Sequence, residues 1–339
     1  MSRAAALLIL TAFAGAAHAH HSQVGIFDSQ ATMEVTGVIK FVSWRNPHGQ
    51  ILLDVTDDSG NVVEWDAETA SIAILRNRGA DGSSIVVGDR VTIAGAPSSR
   101  NRPEILARSV LLPSGYEFTF GSPNAHFPAG KAGRIIGRVI EANVEEAAAK
   151  ADGIFRVWST NMSDPAAFPM FKGGYPLSEA GKTGAAQWNP RDNVLLKCGT
   201  KGQPLIMISP LPIELARDGD DILMRIEEYD SLRRIHMSPD AAAPSEHTLM
   251  GFSRGRFEGR TLVVETDHIA AGYFDHEGVL QSDQIKTVER FIPNETYDRL
   301  DYTLTTTDPV NFTEPFTLTR YFVWKPENTV HPYECLDRF

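Results

Sequence analysis

From about Ile206 the chain is written as one strand after another: "ILMRIEEY", "LRRIHM", "TLMGFSRGRFEG", "RTLVVET", "IKTVERFIP", "DRLDYTLTTT" and "FTLTRYFVW". Successive strand side chains point to opposite faces, so the polar and apolar alternation of "DYTLTTT" and "TLTRYFVW" predicts one dry face and one face that is wet or lines a polar cavity. The links between these runs are short, acidic or bear Gly and Pro, as in consecutive hairpins. This pattern predicts an antiparallel, lipocalin-like up-and-down barrel or a strongly curved sheet over residues 198–339.

A second β pattern precedes it. "TMEVTGVIKFVSW" reads as a strand with Val35, Ile39 and Phe41 on one face, and "QILLDV", the turn "TDDSGN" and "VVEW" follow as a hairpin. "DAETASIAILRNRG" suits a short helix ending near Gly79, and "RVTIAG" and "EILARSVLL" supply two more strands. Three strands, a helix and two strands is the order of an OB-like five-stranded barrel, placed within residues 20–115. Between the two units, residues 116–197 read as an irregular connector with a helical patch at "EANVEEAAAKADG", a strand at "GIFRVWST" and a packed, extended loop from Phe168 to Asn193. The fold class is therefore mainly all-β.

The first residues, "MSRAAALLILTAFAGAAHA", combine one basic residue, an apolar run and small residues at the end. They are expected to be a signal peptide of residues 1–19, with cleavage after Ala19 preferred over cleavage after Ala16. No later run is long and apolar enough to span a bilayer, so a periplasmic or secreted mature chain without a transmembrane segment is expected. In such a compartment the two cysteines, Cys198 and Cys335, are expected to form a disulfide. A formal charge of -11 repels nucleic acid and anionic lipid alike, and the small barrel lacks the basic, aromatic-lined groove that single strands require.

Four groups of residues are candidates for chemistry. Cleavage before His20 would expose an amine and ring that, with His21 and His48 of "NPHG", could hold copper(II); the alternative is a flexible terminus and a turn histidine bonded to its own loop. "ETDHIAAGYFDHEGVLQSDQIKTVER" collects Asp267, His268, Asp275, His276 and Glu289 where a barrel mouth would lie, with Ser282 and Arg290 alongside. Against that stands a reading of solvated loop groups, with Glu289 and Arg290 forming an ion pair. Asp308, before Pro309, reads first as a turn residue bonded to local amides, and Tyr333 as a residue packed inward near the chain's end. Ser253 in "GFSRG" matches a nucleophile elbow by letter, but a strand follows where that elbow needs a helix. "AGKT" fails as a phosphate loop because Pro176 stands where its first glycine belongs.

"HHS", "TGVIKFVSWRNPHGQILLDVTDDSG" and "GDRVTIAGAP" resemble an uncharacterised family of exported bacterial proteins with a small OB-like domain. That resemblance points to His20, His21, Trp44, Asn46, Pro47 and His48. The second half resembles a separate uncharacterised bacterial pattern through "CGTKGQP", "RRIHM", "GFSRGRFEGRTLVVET", "FDHEGVLQSD", "VERF", "TTDPVNFTEPF" and "YEC". It implies Asp275, Ser282, Glu289, Arg290, Asp308 and Cys335 as its marked positions. "ETDHI" and "MSPDAAAPSE" depart from that pattern, which expects a threonine-glycine-aromatic stretch and a basic, glycine-containing turn.

Three functions follow as expectations. The first is binding of a small, apolar or aromatic molecule in the C-terminal barrel, with Asp267, Ser282, Arg290 and Asp308 as ligand contacts. The second is an isomerase, lyase or hydrolase in which Asp275, His276, Glu289 and His268 move protons. The third is copper binding through His20, His21 and His48.

Overall fold

A computed structural model describes residues 26–46, 48–77, 85–120, 125–127, 131–132, 141–161, 164–189, 199–326 and 328–333. The leader, His20, His21, Pro47, Cys198 and Cys335 lie outside the described residues.

The first unit contains β1 (Met33–Ser43), β2 (Gln50–Thr56), β3 (Val62–Glu68), α1 (Ile72–Asn77), β4 (Arg90–Pro97) and β5 (Glu104–Leu111). Antiparallel pairs run in the order β3-β2-β1-β4-β5, and a parallel pairing of β3 with β5 closes the barrel. This is the five-stranded barrel expected from the sequence, with α1 between its third and fourth strands. Val35, Ile39, Ile51, Leu53 and Ile93 fill it, and Leu75 of α1 joins them with no exposed surface. Phe41 is a correction. A register shift between Ile39 and Phe41 inserts one residue into β1, and that bulge turns Phe41 outward, 43% exposed, while Val42 packs against the core. A second shift falls at Gly95, where a Cβ would stand 2.0 Å from the Leu106 carbonyl oxygen. No side chain fits there.

After the small barrel, β6 (Tyr116–Thr119) and β7 (Lys131–Ala132) extend its sheet, and α2 (Glu141–Lys150) follows. The expected strand in this connecting region is β8 (Val157–Thr160), and it belongs to the second barrel. The stretch expected to be only extended loop contains α3 (Glu179–Ala186). The Ser178 hydroxyl accepts from the Gly181 amide at 3.0 Å and caps this alanine-rich run, a start signal that the glycines around it obscure.

The second barrel contains β8, β9 (Ile213–Asp218), β10 (Asp221–Ile226), β11 (Ser231–His236), β12 (Phe252–Glu258) and β13 (Thr261–Asp267). A short separate ribbon, β14 (Gly272–Tyr273) and β15 (Leu280–Gln281), precedes β16 (Lys286–Pro293), β17 (Arg299–Thr307) and β18 (Phe316–Trp324). The order β10-β11-β12-β13-β16-β17-β18-β8-β9 closes on itself. Every neighbouring pair is antiparallel except β11 with β12, which the long 237–251 connection leaves parallel. Leu300, Tyr302, Leu304 and Thr306 point inward along β17, the period-two face legible in "RLDYTLTTT".

The middle of this barrel is a polar layer. Arg233 forks onto Glu289, its Nη1 donating to Oε1 at 3.0 Å and its Nη2 forming a shorter contact with Oε2. Its Nε donates to the Ser253 hydroxyl at 2.9 Å and Nη2 to Thr266 Oγ1 at 2.6 Å, while the Tyr302 hydroxyl donates to Glu289 Oε1 at 2.7 Å. These five side chains are buried. The layer separates two ends: one formed by Asp267, Lys286, Thr307 and Phe316, the other by Asp218, Pro293, Arg299 and Trp324.

The two barrels meet at a buried junction. Asn46 Nδ2 donates to Glu227 Oε1 at 2.9 Å and to the Pro332 carbonyl at 3.3 Å, and Glu227 also accepts from the His331 amide at 2.9 Å. Asn46 and Glu227 are fully buried. Next to them, Tyr229 and Asp230 take left-handed backbone angles, the Asp230 carboxylate accepts from the Tyr333 amide at 3.0 Å, and the Tyr229 and Tyr333 rings lie 4.9 Å apart.

Candidate functional site

At the Lys286 end of the large barrel is a cleft of about 300 Å3. Leu205, Leu249, Ala270, Ala271 and Tyr273 supply its apolar walls, and Lys201, Asp275, His276 and Gln281 supply its polar groups. The β14–β15 ribbon builds one wall, pairing Gly272 with Gln281 and Tyr273 with Leu280. Its loop is held by Asp275, whose Oδ1 accepts from the Glu277 and Val279 amides at 2.9 and 3.0 Å. Gly278 follows at φ +96, and Trp188 packs where its Cβ would be, 2.2 Å from the indole Cγ. Glycine is required twice over there.

Gln281 fixes the polar chemistry of the wall. Its Nε2 donates to the carbonyls of Gln203 at 2.8 Å and Ala270 at 3.1 Å, an orientation that two acceptors dictate. Its Oε1 is therefore turned the other way, and it is buried without a hydrogen-bond partner among the described residues. An orphaned buried acceptor costs about 1–3 kcal/mol until a donor reaches it. Lys201 is committed to Glu228 at 2.6 Å, with both side chains 10% exposed.

Of the residues singled out in the sequence, Asp275 and His276 line this cleft together. Ser282 and Asp308 form a separate staple: Asp308 accepts from the Ser282 amide at 2.7 Å and hydroxyl at 2.6 Å, from Asn311 Nδ2 at 2.9 Å and from the Val310 amide at 3.1 Å. Burial alone would raise the Asp308 pKa, but these donors outweigh it and hold it below the ordinary carboxylate range. His268, at φ +52, and Asp267 form a pair through Nδ1 and Oδ1 at 2.7 Å, and Arg254 approaches Asp267 at 3.4 Å. Glu289 sits in the barrel's middle layer with Arg233, and Arg290 points outward to Glu258 at 2.6 Å. Adjacent strand residues face opposite sides, which rules out the expected Glu289–Arg290 pair.

His48 Nδ1 lies 3.1 Å from the Thr69 carbonyl and 3.6 Å from Glu68 Oε1. Among the described residues no group of three His, Cys, Asp or Glu side chains is arranged to hold a metal, and His20 and His21 lie outside those residues. No helix among them is long and apolar enough to cross a membrane.

Sequence reasoning missed Lys201 and Gln281 in this cleft and Arg233 beneath it. Arg233 carries a readable signal, since Ser231, Arg233 and Ile235 share one face of β11, but Leu232, Arg234 and His236 on the other face are equally apolar in aggregate.

Residues 7–105 match a family of unknown function (DUF6152). The match covers most of the five-stranded barrel and stops before the large barrel. A comparison with curated proteins finds no match.

Proposed function

We propose that this chain is an exported binding protein whose large barrel takes up a small, mainly apolar or aromatic molecule in the Gln281 cleft. The make-up of the cleft carries this reading: Leu205, Leu249, Ala270, Ala271 and Tyr273 form apolar walls, with Lys201, Asp275, His276 and Gln281 as a few polar groups. The ligand it favours has a flat or compact hydrocarbon body and one N–H or O–H donor. Asp275 and His276 at the rim would set orientation, and Lys201 is held back from the ligand by Glu228. The leader and a Cys198–Cys335 bridge belong to the same proposal, as parts of a protein built for an oxidising compartment.

Native mass spectrometry of the chain purified from the exported fraction tests it. The expected result is a chain starting at His20, two mass units lighter than its reduced form, with a co-purifying small molecule. Gly272 lines the cleft, and a Cβ there meets no atom within 4 Å, so the backbone at this position accepts a side chain and Gly272→Trp adds bulk at the cleft. That variant should fold and lose the molecule. Unchanged retention in Gly272→Trp would exclude this cleft.

A further inference from the structure

The opposite end of the large barrel holds a larger pocket, of about 490 Å3, between α2 and the strand ends at Phe155–Val157, Glu214–Arg217 and Trp324. This volume is of the size that encloses a drug-sized organic molecule. Its charges can be paired off one by one. Glu146 is bound by Lys150 at 2.5 Å, Asp152 by Arg217 at 2.8 Å, and Glu214 by Arg225 at 3.0 Å. Every lining carboxylate thus has its cation. Arg156 is the remaining charge, with no carboxylate within ion-pair distance among the described residues.

Arg156 is also fixed in place. Its Nε donates to the Gly153 carbonyl at 2.8 Å and its Nη1 to the Tyr297 carbonyl at 2.9 Å. The guanidinium carbon lies 4.4 Å from the Trp324 ring centre, 5.7 Å from that of Tyr297 and 5.8 Å from that of Trp158. Stacking restrains the flat guanidinium, and the two carbonyls take Nε and Nη1, one donor from each of its two bidentate edges, which leaves Nη2 without a hydrogen bond to the described residues. Trp324 and Phe155 add aromatic surface to the same pocket.

We infer that this pocket binds an aromatic carboxylate, its anionic group on Arg156 and its ring against Trp324 and Phe155. The site is distinct from the Gln281 cleft and does not depend on it. A preorganised guanidinium discriminates by charge, so an acid should bind and its uncharged isostere should not.

Calorimetric titration of the full chain with 1-naphthoate and with 1-naphthamide tests this. Wild type should bind the acid at least tenfold tighter than the amide. Arg156→Gln should abolish that preference, weakening the acid at least tenfold and the amide less than twofold. Ala147 is the half-buried lining residue of α2, so Ala147→Trp should block both ligands while leaving the barrel interior untouched. It provides the answer if Arg156→Gln fails to fold. Equal affinity of wild type for acid and amide, or no binding of the acid at millimolar concentration, would overturn the inference. So would binding that survives Ala147→Trp but is lost in Gly272→Trp, because the acid would then occupy the other cleft.

Discussion

Asp66 lies on β3 beside the seam that closes the small barrel, opposite Glu104 of β5 and between Glu64 and Glu68 on its own strand. Burial, with repulsion from those three carboxylates, raises its pKa to about 6, and a hydrogen bond from Gln50 at 2.6 Å only partly offsets this. The folded state therefore holds a proton that the unfolded chain, titrating near 4, has already released. The contribution of this group to stability should fall as pH rises from about 4 to 6, because its native form keeps across that window a proton that the unfolded chain has lost. Asp66→Asn removes this slope and should stabilise the small barrel by roughly 2 kcal/mol at pH 7. Urea unfolding of wild type and Asp66→Asn at pH 4, 5, 6 and 7 measures both effects, and a stability gap between the two that does not widen with pH would contradict the assignment. At this scale the sequence was partly legible. Asp275 and His276 were visible as loop groups at a barrel mouth, whereas Gln281 became a site residue only because two carbonyls claim its amide nitrogen, a fact of tertiary packing.

The middle layer of the large barrel shows what individual strands contribute. β11 supplies Arg233, β16 Glu289 and β17 Tyr302, so a strand and a hairpin distant from it in the chain share one buried ion pair. Removing one partner strands a charge in the core, and Glu289→Gln or Arg233→Met should each cost about 3–5 kcal/mol. The double replacement Arg233→Met with Glu289→Leu should cost less than either single change, and a double-mutant cycle in guanidinium chloride reads the coupling. Strictly additive losses would mean that the pair is not coupled. Strand positions were legible from period-two alternation, as β17 shows. Faces were not always so, for two physical reasons. The bulge in β1 shifts the alternation by one residue and puts Phe41 in solvent. In β11 and β16 the buried charges imitate an outer face, which is why Glu289 was read beside Arg290 instead of across from Arg233.

At the level of the whole molecule, the two barrels could be separated in the sequence, but their contact could not. Asn46 belongs to the "NPH" stretch that was read as the neighbourhood of a metal ligand, and the fold uses it as a buried tie to Glu227 and Pro332. No local pattern encodes a bond to a residue so far along the chain. Asn46→Ala leaves one donor fewer for a buried carboxylate and should cost about 1–3 kcal/mol at the junction. Hydrogen exchange should show this as faster exchange of the His331 and Tyr333 amides with the interiors of both barrels unchanged; unaltered rates at those amides would refute the tie. The seam of the large barrel has another consequence, for biosynthesis. β8 pairs with β18, Ser159 against Val323, so the strand made first must wait for the strand made last. Until that last strand leaves the ribosome the sheet keeps two open edges and a chain of high contact order. A chain cut short before Phe316 is left with edges that aggregate.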